Sequence, residues 1–97
     1  MAYEKRLNSL TELADELRTL DFDGGIRVQG RYGGAPCFIF ITKAGASFAT
    51  TLYSEKRGAS GNEVPDTLLM LKEYKEVEPL LKFLEGEALE PLDAYSY

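Results

Sequence analysis

Leu7, Leu10, Leu13, Ala14, Leu17 and Leu20 recur at three- and four-residue spacing near the start of the chain. That spacing places them on one stripe of an amphipathic helix, with Glu12, Asp15, Glu16 and Arg18 off the stripe. Ser9 to Glu12 reads S-x-x-E, the pattern of a capping box. The helix therefore starts near residue 10, or nearer residue 4 with Ser9 internal; continuation of the stripe through Leu7 favours the longer form. The stretch LDFDGG ends it, because Gly24 and Gly25 can take positive φ.

After Gly25 the period changes from helical to alternating. "IRVQGRY" and "SFATTLY" alternate, and "CFIFITK" between them is apolar on both sides. Their β-branched and aromatic content predicts three strands joined by the short connections "GGAP" and "AG", an antiparallel meander in the order 1-2-3. With Tyr32 opposite Cys37 and Lys43 opposite Ala46, one face carries Ile26, Val28, Tyr32, Cys37, Ile39, Ile41, Phe48, Thr50 and Leu52. The other carries Arg27, Gln29, Arg31, Phe38, Phe40, Thr42, Ala49, Thr51 and Tyr53. A slip of one residue would exchange the faces of a strand.

Residues 54–64, SEKRGASGNEV, read as a polar loop. After Pro65, DTLLMLKEYK predicts a short helix with Asp66 as its N-cap. Pro79 suits the first turn of a second short helix, EPLLKFLEG, closed by Gly86. The tail from about residue 88 either wraps back through Leu89, Leu92 and Tyr95 or frays. The expected fold is α+β: one domain over 1–97, with an N-terminal helix, a three-stranded antiparallel meander and two short C-terminal helices.

Ninety-seven residues suffice for one core, and the apolar and charged shares are ordinary for a globular domain. The single cysteine excludes an internal disulfide. MAYEKRLNSL lacks the apolar run of a signal peptide and no segment is apolar enough to span a bilayer, so the expected location is the cytoplasm, including that of an infected host cell. The absence of histidine removes the usual Ser-His-Asp and Cys-His mechanisms and, with one cysteine, ordinary zinc sites. Cys37 lies in the most apolar strand, where a thiol is structural rather than nucleophilic. "GRYGGAP" sits between two strands instead of opening a helix, so its glycines turn a hairpin rather than cradle a phosphate. In "DFDGG" the twelfth position of a calcium loop would be Tyr32, which does not fit; Asp21 and Asp23 serve the turn. No catalytic residue, cofactor or metal is expected, and the chain reads as no enzyme.

Two surfaces remain. Residues 1–62 carry eight basic and seven acidic groups, residues 63–97 three basic and nine acidic, for a net charge of −5. The acidic third opposes direct nucleic-acid binding and permits contact with a basic partner. Its candidate contacts are Glu73, Glu76, Glu78, Glu85, Glu87, Glu90 and Asp93; the plain alternative is a solvated helix face. The second surface is the Arg/Phe sheet face, with Arg27, Gln29, Arg31, Phe38, Phe40 and Tyr53. Exposed, it would bind protein, RNA or a small ligand. Otherwise the C-terminal helices or a second copy of the chain would cover it, the latter making a homodimer.

The order helix, three-stranded meander, two short helices, in an acidic chain of under a hundred residues, resembles small phage-encoded inhibitors, in particular anti-CRISPR proteins that block a Cas effector. That resemblance implies a non-enzymatic inhibitor that occupies a basic, nucleic-acid-binding site of a defence effector by mimicking DNA. The alternatives are RNA or small-ligand binding through the sheet face, or a structural subunit of a larger assembly.

Overall fold

The computed structural model describes residues 5–22, 24–32, 34–87 and 93–97. Among these described residues, six antiparallel strands form one sheet in the order β1-β6-β2-β3-β4-β5, with two helices. In chain order these are β1 (Lys5–Leu7), α1 (Leu10–Arg18), β2 (Gly25–Tyr32), β3 (Ala35–Ala44), β4 (Ser47–Arg57), β5 (Glu63–Tyr74), α2 (Val77–Glu87) and β6 (Ala94–Ser96). The fold is mostly β. This corrects the expected three-stranded meander with three helices, and with it the layout on which the resemblance to small phage inhibitors rested.

The shorter form of the first helix is the observed one. Ser9 has extended backbone, φ −150° and ψ 162°, and its Oγ accepts the Glu12 N–H at 3.2 Å. Glu12 Oε2 in turn accepts the Asn8 N–H at 2.6 Å. Such a cap is worth about 1 kcal/mol. Leu7 is fully buried, but in β1, which pairs with β6 from Lys5↔Ser96 to Leu7↔Ala94. The helix ends at Thr19, before the glycines. Neither Gly24 nor Gly25 has positive φ; Gly25 opens β2 and exchanges two backbone hydrogen bonds with Tyr97, at 2.9 and 2.8 Å.

The meander stands inside the larger sheet. Tyr32 pairs with Ala35 and Ala44 with Ser47, so each register is shifted by two residues from the one expected, and the first hairpin is also tighter by two. Gly34 (φ 84°) and Gly45 (φ 63°) supply the left-handed backbone that such turns need. A slip of two preserves the faces. Ile26, Val28, Cys37, Ile39, Ile41, Phe48, Thr50 and Leu52 are all buried on one side; Tyr32, at the hairpin end, is exposed.

Residues 66–75 are the main correction. All of DTLLMLKEYK but its final Lys75 lies in β5, a 12-residue edge strand paired with β4 from Phe48↔Tyr74 to Arg57↔Glu63. The loop Gly58–Asn62 closes that hairpin, with the Gly58 N–H donated to the Asn62 carbonyl at 2.7 Å and Gly61 at φ 85°. Asp66 is therefore no N-cap; its carboxylate stands 3.5 Å from Lys56 Nζ. Without β5, one whole side of the 11-residue β4 would lack backbone partners. That demand outweighs the helix propensity of Leu, Met, Lys and Glu. Pro65 is tolerated because it sits on an edge strand beside two register irregularities, between Leu52 and Glu55 of β4.

The remaining expected helix is α2, longer than read, with Gly86 inside it. Both helices pack on the same side of the sheet. Leu13 and Leu17 of α1 and Leu80 and Leu84 of α2 join the buried strand residues and Ala94 in one core. Of the tail, β6 wraps back and inserts between β1 and β2. Leu89 and Leu92 lie outside the described residues. Among the described residues no helix is long and apolar enough to cross a membrane.

Candidate functional site

Among the described residues, the opposite side of the sheet carries no helix. Strand register arranges its side chains in rows. One runs Arg6, Tyr95, Arg27, Phe40, Thr51, Leu71 across all six strands. The next runs Gln29, Phe38, Tyr53, Leu68. Facing neighbours within a row are in contact range, so the aromatics gather at the centre. The Phe38 and Phe40 rings are 6.1 Å apart, and Phe40 meets Tyr53 edge to face at 5.8 Å. The guanidinium groups of Arg6 and Arg27 lie 5.3 and 5.0 Å from the Tyr95 ring centre. Arg6 Nη1 also donates to Tyr95 Oη at 2.7 Å and to Asp93 Oδ1 at 3.2 Å.

A groove of about 470 Å³ lies on this face. Phe38, Phe40 and Gln29 line it beside Arg27, Asp93 and Tyr95 of β2 and β6. The start of β5, Glu63, Val64 and Pro65, contributes to the same groove. Since β5 lies three strands from β2, the sheet must curl to bring these residues together; β-bulges of the kind found in the β4–β5 ladder increase such twist. Gln29 donates to the carboxylate of Glu55, while its Oε1 is buried without a protein partner. Burial raises the Glu55 pKa, the Gln29 hydrogen bond lowers it, and the nearby Glu63 charge raises it; the net direction is upward.

Of the sheet-face candidates, Arg27, Gln29, Phe38 and Phe40 therefore meet in one groove, and Tyr53 supports Phe40. Arg31 is exposed near the hairpin tip, opposite Pro36, and does not line the groove. The acidic candidates do not form one surface. Glu73 is on β5 opposite Ala49, which puts it on the helix-free face. Glu76 precedes α2, and Glu78 and Glu85 are exposed on α2. Glu87 ends α2 beside Gly30, where its carbonyl oxygen would lie 2.7 Å from an added Cβ. Asp93 is paired with Arg6 in the groove. Glu90 lies outside the described residues. Their expected spacing along helices fails first at Glu73, which is in a strand. Sequence reading missed Tyr95 and the Glu63–Pro65 wall as groove residues; the alternation in "DAYSY" was the available signal for the former.

Cys37 is fully buried on the helix side. Burial, then the Glu87 and Glu55 charges, push its thiol up to about 11 from 9.0. Between these values the unfolded chain has lost the proton that the native state keeps, so the contribution of this group to stability falls as pH rises. Native protein is expected to react slowly with a disulfide reagent at pH 8, and denaturant midpoints between pH 9 and 11 are expected to fall more steeply in wild type than in Cys37→Ala. Among the described residues no group of three or more His, Cys, Asp or Glu side chains could hold a metal ion.

Comparison with protein-family models, curated proteins and solved structures found no match.

Proposed function

We propose that the chain is a non-enzymatic protein-interaction module that receives an extended segment of a partner protein in the groove of its helix-free sheet face. The observation that carries this is the aromatic floor of Phe38 and Phe40 between walls of both charge signs, Arg27 on one side and Glu63 on the other, with Asp93 beside Arg27. Its volume lies in the ordinary range for binding clefts. Apolar anchors in such a cleft supply affinity, and the mixed charges fix orientation. A nucleic-acid backbone would instead meet Glu63, Asp93 and the nearby Glu55, which oppose phosphate. Inhibition of a defence effector through Glu76, Glu78 and Glu85 is a narrower proposal that uses a different surface.

The test is selection from a displayed random-peptide library, followed by affinity measurements on variants. Phe40 is the residue to change, because Phe38 is almost fully buried and its loss would also damage folding. Related peptides are expected to be recovered. Truncating such an anchor costs about 2 kcal/mol, so Phe40→Ala is expected to weaken their binding roughly thirtyfold. Charge reversal at Glu76, Glu78 and Glu85 is expected to leave it unchanged. Failure to enrich any sequence family, or binding that survives Phe40→Ala and is lost on charge reversal, would contradict the proposal.

A further inference from the structure

The two ends of the groove differ in what they lack. At the Tyr95 end the chain supplies its own cations: Arg6 and Arg27 lie on the Tyr95 ring, and Asp93 is paired with Arg6. At the β5 end the wall is Glu63, Val64 and Pro65, near Gln29, with Phe38 and Phe40 as the floor. There the polar groups are acceptors. An ionised carboxylate only accepts hydrogen bonds, so the Gln29 amide turns its NH2 to Glu55 and keeps its Oε1 as an acceptor. That oxygen is buried without a protein partner. The charge that reaches Glu55 is that of Glu63, which opposes its ionisation. Arg57 stands 3.9 Å from the Glu63 carboxylate, but its side chain is 75% exposed, and such a surface pair contributes little.

We infer that the segment received in the groove places an arginine side chain at this end, its stem along Phe40 and its guanidinium facing Gln29 and Glu63. The inference rests on the groove being the binding site proposed above, and names the chemistry of what enters it. Several demands converge on that side chain. An aromatic face attracts a desolvated cation, most often a guanidinium. Carboxylates that repel one another, as Glu55 and Glu63 do, gain from a positive charge beside them. The unmet Gln29 oxygen needs a donor, and a guanidinium carries several N–H groups in a rigid fork, enough to serve an amide oxygen and a carboxylate together. A lysine ammonium is a strongly hydrated point charge and lacks the flat face that stacks on a ring. An acidic side chain would add to the repulsion, and an apolar one would leave the amide oxygen unmet. This placement also keeps the incoming charge at the wall opposite Arg27.

The test uses the peptides recovered from the displayed library. They are expected to share an arginine at one fixed position. Replacing it by citrulline, which keeps the shape and removes the charge, is expected to weaken binding to the wild-type chain roughly tenfold, as for a desolvated charge pair. Glu63→Gln, its folding checked by circular dichroism, is expected to weaken the arginine peptide roughly fivefold and the citrulline peptide less than about twofold. That difference reads the pairing itself, which general damage to the groove would not give. A peptide family that depends on Phe40 but has no fixed arginine, or has lysine in its place, would overturn this inference and leave the groove reading standing. So would a citrulline exchange without effect, or equal losses of both peptides on Glu63→Gln. If no family is recovered, or binding survives Phe40→Ala, the groove reading falls and this inference falls with it.

Discussion

Gly30→Ala is expected to destabilise the protein by about 3 kcal/mol, the upper part of the range for overpacking a rigid core. An added Cβ would stand 2.7 Å from the Glu87 carbonyl oxygen and 2.9 Å from Ile39 Cδ1. The second obstacle is the tip of a side chain, but the first is backbone at the end of α2. Gly30 is in the middle of β2, paired with Cys37 on β3, so the strand cannot retreat without breaking its ladder. The end of α2 must move instead. Ile39→Val, which removes the Cδ1 atom, is therefore expected not to rescue Gly30→Ala. Denaturant unfolding of the three variants measures this; recovery of wild-type stability in the double variant would show that α2 does not seat on β2 this closely.

Leu84→Ala is expected to cost about 3 kcal/mol, within the usual range for a buried leucine. Leu84 has no exposed surface and joins the core that α2 shares with the sheet. Small domains have only about 5–15 kcal/mol in total, so the loss is a large share. Loosening α2 also has a local readout. The helix ends near Cys37, whose raised pKa owes part of its shift to Glu87. Faster thiol labelling of Cys37 under native conditions is expected in this variant, with the groove on the far face unchanged. A cost below about 1 kcal/mol, as for a surface change, would mean that α2 is not part of the core.

The meander and its two faces were legible because alternation has a fixed period. Eight of the nine residues assigned to the core face are buried, and a register error of two left every side chain on its correct side. The S-x-x-E pattern marked the helix start at Ser9, and the longer alternative failed because Leu7 fits a helical stripe and a buried strand position equally well. Residues 66–75 were illegible for a related reason. Four consecutive apolar residues, Leu68–Leu71, carry no period, and Asp66 and Thr67 imitate a cap. What decides their state is the unpaired side of β4, a demand made by residues some twenty positions earlier. The floor of the groove followed from the alternation of β2 and β3. Its walls did not, because they depend on a six-stranded order that brings β6 beside β2 and on the curl that carries Glu63–Pro65 over the aromatics.

The most direct measurement for the proposed role of the groove is amide chemical-shift mapping by NMR as a library-selected peptide is titrated into the wild-type chain. Shifts concentrated at Arg27, Gln29, Phe40, Val64 and Tyr95 are the expected result. Shifts confined to Glu76, Glu78 and Glu85 around α2, with the groove silent, would contradict it.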